Sequence, residues 1–466
     1  MTQSIDDVVT KILTSLQTDQ SSIQEAIQAV RTAISTGDIT NATGVAIGNS
    51  IVQFVQHFDL PSGSGDILHD LRVSLGAILG AGTNQYSWEN LVKDKLENFV
   101  GREYIFNAIN QFIAGNPSGY FIIEGDPGMG KSALLAEYVR RTGCLAHFNI
   151  RGMNISSSTQ FLKNICTQII VDARLPYTYL RPETTEDGAF LLKLLREATA
   201  SQPSKKLVIA VDALDEVDLT SEKRGANILY LPDELPRNVY FILTRRRVDL
   251  PMSRLFPQHI FDLVEYHSEN RRDIEARLHS AAKKPMIHQW ITEQKHTPEE
   301  FVSKLADLSE NNFMYLRHVL CEIEEGNYAN RHIEELPKGL RGYYEDHWKI
   351  MGMTATPSPR VKIHIIYVMC ELHQPASSKL IAEFANSDKL AVDELDVLQV
   401  LREWKQFLHK QHTPERPHYS IYHTSFLDFL KEPEIMKEAS ITLQGIHAQI
   451  SKFLLRERYG NRELIW

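Results

Sequence analysis

Residues Gly125-Asp126-Pro127-Gly128-Met129-Gly130-Lys131-Ser132 set glycines, a lysine and a hydroxyl in the spacing GxxxxGK[ST]. The apolar run Gly119–Ile123 precedes them and a helical pattern, Ser132 to Arg141, follows. Glycines let the backbone curl so that its N–H groups face an anion, and the next helix adds the positive end of its dipole. Such a loop cradles nucleotide phosphates. Asp126, Gly128, Met129, Gly130 and Ala133 would lie along the phosphates, Lys131 would reach the β- and γ-phosphates, and Ser132 would ligate Mg²⁺ through its hydroxyl. The expected ligand is ATP or ADP with Mg²⁺.

A second cluster, Asp212-Ala213-Leu214-Asp215-Glu216, ends the apolar run Lys206–Val211. An acid at the carboxyl end of a buried parallel strand is costly unless it meets a cation, so Asp212 is assigned to the metal, through water. Asp215 or Glu216 would orient or deprotonate the attacking water, and spacing does not choose between them. A third run, Val239–Thr244, leads into Arg245-Arg246-Arg247. Ends of such strands face the nucleotide, so Thr244 and one arginine would sense the terminal phosphate.

These residues need a scaffold. Gly119–Ile123, Cys144–Ile150, Lys206–Val211 and Val239–Thr244 read as strands that alternate with helices, which predicts an α/β P-loop fold: a parallel sheet with helices on both faces. After about Tyr266 the strand signal fades. Asn270–Ala282, Pro298–Leu308 and Phe313–Ile323 read as helices, and Val361–Leu430 mixes helices with a strand at Tyr419–His423. Before the sheet, Asp6 to about Ala81 reads as short helices broken at Pro61-Ser62-Gly63-Ser64-Gly65, too short for a typical catalytic domain.

Composition narrows the partners. The 466 residues carry a formal net charge of -9, which gives no global attraction to nucleic acid or anionic membrane. Cys144, Cys166, Cys321 and Cys370 lack CxxC spacing, which argues against zinc or a disulfide framework and for a reducing, cytoplasmic setting. The acidic start and the lack of an apolar run of about 18 residues argue against a signal peptide or membrane span.

The chain resembles the NACHT-type STAND ATPases, relatives of nucleotide-binding leucine-rich-repeat receptors. Asn98-Phe99-Val100-Gly101-Arg102-Glu103 is similar to the family's adenine-side motif, which implies nucleotide contacts at Val100, Gly101 and Arg102. The P-loop and the DxxDE acids match as well. Thr244-Arg245-Arg246 is similar to the family's TSR strand ending, with Arg246 at the arginine position; Arg245 replaces the usual small residue, so the choice between the two arginines stays open. Leu336-Pro337-Lys338-Gly339-Leu340 resembles the LPxGL segment and implies that Pro337 meets the nucleotide. Tyr422-His423-Thr424-Ser425-Phe426-Leu427-Asp428-Phe429-Leu430 resembles the HxSFxDFL motif of the winged-helix domain, which implies that His423 contacts the β-phosphate of ADP and holds a closed, inactive form.

The resemblance implies a slow ATPase serving as a signalling switch, ADP-bound at rest and ATP-bound and homo-oligomeric when active, in innate immunity, antiviral defence or regulated cell death. It implies domains at 1–95 (helical effector or adaptor), 96–265 (nucleotide-binding), 266–350 (helical), 351–435 (winged helix) and 436–466 (helical, leading to a sensor). Family members carry a long repeat array after this point, so a protein trigger or effector partner is expected. Thr43–Phe54, apolar and uncharged, reads as a buried helix of an adaptor bundle, with strand stacking or membrane contact as its alternatives. No direct nucleic-acid contact is expected. The competing reading is a continuously cycling ATPase that remodels protein or nucleic acid, which would need a pore or basic groove; a small-molecule kinase would need an acceptor site or lid.

Overall fold

The computed structural model describes residue 96 and residues 99–459, except 152–154, 178–179, 181, 220–224, 253–257, 373, 388–389, 412–415 and 422. The expected N-terminal helices, the Thr43–Phe54 segment, Asn98 and Tyr422 lie outside the described residues.

The first lobe runs α1 (Glu103–Gly115), β1 (Gly119–Glu124), α2 (Lys131–Thr142), β2 (Leu145–Phe148), α3 (Ser158–Asp172), α4 (Ala189–Ser201), β3 (Leu207–Asp212), β4 (Val239–Arg245) and β5 (Gln258–Asp262). All five strands are parallel, in the order β2-β3-β4-β1-β5. Parallel strands covered on both faces need unbroken apolar runs, and β1 shows why: Tyr120 and Ile122 join the core under α3 and α4, while Phe121 and Ile123 join the core under α1 and α2. Ile122→Ala would therefore open a fully enclosed hole and cost about 2–5 kcal/mol. Local signals start the helices: Ser157 and Gln160 form a reciprocal capping box at α3.

The order places β4 between β1 and β3, so the end of β4 lies between the phosphate loop after β1 and the acids after β3. Residue 258–262, an edge strand, was not legible: only Phe261 is buried, and Ile260 is half-exposed, so the segment lacks an apolar run.

The second lobe contains α5 (His267–Ala281), α6 (Pro285–Glu293), α7 (Pro298–Ser309), α8 (Phe313–Glu324), α9 (Gly339–Ile350), α10 (Arg360–Glu371), β6 (Ala376–Ser377), α11 (Ser378–Ala385), α12 (Glu394–Glu403), β7 (Leu408–Gln411), β8 (His418–Ile421), α13 (Thr424–Leu430), α14 (Pro433–Ala439) and α15 (Leu443–Tyr459). Strands β6, β8 and β7 form a small antiparallel sheet. The strand predicted at Tyr419–His423 ends two residues sooner, because His423 caps α13 instead of extending β8. No helix among the described residues is long and apolar enough to cross a membrane.

One hydrophobic cluster spans residues 274 to 446. Trp348 of α9 meets Trp404 at 6.1 Å and Phe429 at 6.2 Å between ring centroids, and Tyr344 meets Phe426 at 5.3 Å. Packing therefore runs unbroken past position 350. The two clusters around the sheet are separate from it.

Candidate functional site

The two lobes enclose a cavity of about 460 Å³, within the roughly 300–1,000 Å³ range of small-molecule sites. Of the residues singled out from sequence, Val100, Arg102, Gly128, Gly130, Lys131, Ser132, Ala133, Asp212, Asp215, Glu216, Thr244, Arg246 and His423 line it. Gly101, Asp126 and Met129 stand in the same loops without lining it, and the carbonyls of Asp126 and Met129 hold neighbours: Lys131 Nζ donates to the first at 3.0 Å and Arg102 Nη2 to the second at 2.5 Å. Pro337 is not in the lining. Its carbonyl accepts the Tyr315 hydroxyl at 2.6 Å, so it serves the junction of α8 and α9, and Phe313 and Met314 form the wall in its place.

The phosphate loop is built by local conformation and by grip from the second lobe. Gly128 has φ +83°, and a Cβ there would overlap the Asn312 side chain. Gly130 begins α2 with no side-chain cap, which leaves the helix's first N–H groups to other acceptors. Asn312 holds both lobes at once. Its Oδ1 accepts from Tyr315 N at 3.0 Å, capping α8, and its Nδ2 donates to Pro127 O at 2.9 Å. Phe313 N and Met314 N both donate to Gly128 O, at 2.9 and 3.1 Å. An Asn before an apolar helical run signals an N-cap, but nothing in the sequence tells that this cap also grips residue 127.

Arg102, 2 % exposed and in the left-handed region at φ 69°, is the second tie. Its guanidinium donates to Met129 O and Asn270 Oδ1, both at 2.5 Å, and lies 4.6 Å over the Phe313 ring. Its backbone N–H donates to Asp273 Oδ2 at 3.1 Å.

Lys131 is folded onto its own loop, donating to Gly125 O at 2.6 Å as well as to Asp126 O. Burial pulls its ammonium down to about 8, an effect that the nearby Asp215 only partly offsets. A cation so placed gains from an anion set against it. Asp212 is 2 % exposed; its Oδ1 accepts the Thr244 hydroxyl at 2.5 Å, and that same hydroxyl accepts Ala213 N at 2.8 Å. Thr244, which has no exposed surface, thus uses its donor and an acceptor to fix the carboxylate. Asn149, which sequence reading missed, holds the same turn by donating Nδ2 to Asp212 O at 2.8 Å.

Arg246 crosses between the lobes. Nε pairs with Asp215 at 2.8 Å, while Nη1 pairs with Asp428 and Nη2 donates to Thr424 Oγ1. Thr424 Oγ1 lies 3.4 Å from Glu216 Oε1, whose other oxygen accepts Arg151 N at 3.0 Å. Arg245 is occupied elsewhere, donating Nε to Glu124 at 2.6 Å, so of the two arginines Arg246 is the one in the cavity wall. His423 enters the wall from the second lobe with Nδ1 accepting Ser425 N at 3.1 Å. Arg277, Lys284 and Arg317 also line the cavity, and no sequence spacing pointed to them.

The donor set suits a Mg²⁺-nucleotide. A loop with glycine at 125, 128 and 130, an uncapped helix start and a half-buried lysine suit phosphate, and a hydroxyl plus one buried carboxylate suit a hard cation that keeps several waters. Among the described residues no group of three or more His, Cys, Asp or Glu side chains could hold a metal without the phosphates' help.

No protein-family model matches the sequence, and no curated protein matches it. Among solved structures the chain is similar to a Signal Transduction ATPase with Numerous Domains (STAND) protein with a tetratricopeptide-repeat sensor from Pyrococcus horikoshii, at 14% identity and a TM-score of 0.36, over 78% of this chain and 46% of that one. The chain spans about half the length of that protein, and a likeness this loose lends nothing to the site's interpretation.

Proposed function

We propose that the chain is a P-loop ATPase used as a nucleotide-dependent switch, with ADP holding the two lobes together and ATP with Mg²⁺ favouring their separation and self-association. The observation that carries this reading is the cavity itself: the phosphate loop and acids form one wall, and His423 and Thr424 form the other. The lobes have separate apolar cores and meet around the cavity through polar ties at Arg102, Asn312, Arg246 and Thr424. The sequence motifs similar to NACHT-type STAND ATPases support the same assignment, including a winged-helix reading of residues 351–435 and a role for residues 1–95 in contacting a partner in innate immunity, antiviral defence or regulated cell death.

Mg²⁺, when bound, would supply neutralisation of the phosphate charge. Ser132 and Asp212 would hold it, Asp212 being oriented by Thr244. Lys131 turns from its loop carbonyls to the phosphates. Thr424 and Asp428 engage Glu216 and Arg246 while the lobes are docked. Undocking releases Arg246 from Asp428 to meet the terminal phosphate, and releases Glu216 Oε1 from Thr424 to orient water, with Asp215 as the other acid in reach. Nucleotide shifts the equilibrium because each state makes different contacts with it.

The test is the nucleotide extracted from purified full-length protein, with the rate of ATP turnover. ADP at near one per chain and slow turnover are expected, with neither found in Lys131→Ala. Rapid, steady turnover stimulated by an added protein or nucleic acid would replace the switch with a remodelling motor.

A further inference from the structure

His423 is tied to a third residue that the motif does not contain. Tyr344 of α9 is 2 % exposed, its ring set among Phe407, Phe426 and Phe429, and its hydroxyl lies 2.8 Å from Ser425 Oγ. Ser425 Oγ in turn lies 2.5 Å from His423 Nδ1. The proton positions follow from counting donors. Nδ1 already accepts Ser425 N–H, so it carries no proton. The Ser425 hydroxyl must then donate to Nδ1, and its lone pair accepts the Tyr344 hydroxyl. Burial pushes the Tyr344 phenol well above its ordinary value, so it remains a donor.

We infer that Tyr344 and Ser425 are positioning residues that hold His423 as the Nε2–H tautomer before any ligand arrives, so that the imidazole meets the cavity as a hydrogen-bond donor to a phosphate oxygen. The identity of that acceptor rests on the nucleotide reading above; the tautomer does not. Every atom of the relay, Tyr344 OH to Ser425 Oγ to His423 Nδ1, belongs to the second lobe, and none comes from the sheet lobe. The second lobe therefore orients the ring from its own residues, and docking brings that ring to the cavity wall. A neutral imidazole fixed this way discriminates by hydrogen bonding: it accepts an anionic oxygen as partner and offers nothing to a cation.

The experiment is ring-nitrogen NMR of full-length protein labelled with ¹⁵N-histidine, with His423→Gln identifying the signals by their loss, alongside ADP binding by titration. In the wild type, Nδ1 should resonate as unprotonated and Nε2 as protonated, equally with and without ADP. Tyr344→Phe keeps the ring and removes the hydroxyl that holds the Ser425 hydroxyl in place; Ser425 N–H still faces Nδ1, so the tautomer should persist while the Nδ1 resonance shifts and ADP binds about three- to tenfold more weakly, the worth of one hydrogen bond. Ser425→Ala should act in the same direction and Ser425→Thr should restore the wild-type pattern, which a purely structural loss would not. A wild-type ring protonated on Nδ1, or a Tyr344→Phe spectrum identical to wild type, overturns the inference. A ring that behaves as stated in a protein that binds no ADP would leave the tautomer control standing and remove the nucleotide reading.

Discussion

Thr244→Val is the sharpest perturbation of the metal-side wall, because valine fills the volume of threonine and only the hydroxyl is lost. That hydroxyl donates to Asp212 Oδ1 at 2.5 Å and accepts Ala213 N at 2.8 Å in a position with no solvent access. Losing a bond to an ionised carboxylate costs about 1.5–3 kcal/mol, and leaving a buried N–H unpaired costs about 1–3 kcal/mol more. Relaxation shares these costs, so about 3 kcal/mol is expected. For a lobe of this size that lowers the melting temperature by roughly 6–12 °C. Thr244→Ser keeps both hydrogen bonds and loses one buried methyl, about 1 kcal/mol. The assay is thermal melting of the two variants without nucleotide, followed by ATP titration with and without Mg²⁺. Thr244→Val should weaken binding chiefly in Mg²⁺, since an unheld Asp212 is a poorer partner for the hydrated ion. Equal melting of the valine and serine variants, or a loss of affinity that ignores Mg²⁺, would refute the role given to this hydroxyl.

Other consequences follow from the same geometry. Asn312→Ala removes the α8 cap and the tie to Pro127 together, so stability should fall by about 1–2 kcal/mol, and ADP affinity should fall with it because the loop loses its outer support. Asp428→Ala breaks a pair whose acid is 57 % exposed, so melting should change by no more than about 1 kcal/mol, while turnover should rise as Arg246 is released; titration of both quantities in one variant checks this. Burial pulls His147, His318 and His347 down to about 4, 3 and 4. The unfolded chain takes up protons first as pH falls below about 6.5, so these groups leave stability intact above that value and erode it steadily down to about pH 4. Melting between pH 8 and pH 5 should show that decline, and His318→Phe should flatten part of it.

The parallel sheet was legible because β1, β3 and β4 are buried on both faces and so wrote themselves as unbroken apolar runs ending in Gly125, Asp212 and Thr244. β5 was hidden because an edge strand buries little and needs no such run. Convergence of Lys131, Ser132, Asp212 and Arg246 on one cavity followed from strand ends, which topology brings together whatever the loops do. What the sequence could not carry were contacts between distant segments. Asn312 against Pro127, Arg102 against Asn270 and Tyr344 against Ser425 each join residues with no periodic relation. The continuity of the second lobe's core past position 350 was hidden for the same reason: Trp348 and Trp404 look like two separate helix residues until they meet.

Hydrogen exchange of the segment 418–430, read with ADP and then with a non-hydrolysable ATP analogue and Mg²⁺, tests most directly whether nucleotide joins the two lobes. Strong protection of α13 with ADP and its loss with the ATP analogue are expected, both absent in Lys131→Ala. Protection that is the same with either nucleotide, or unaffected by adding any, would contradict it.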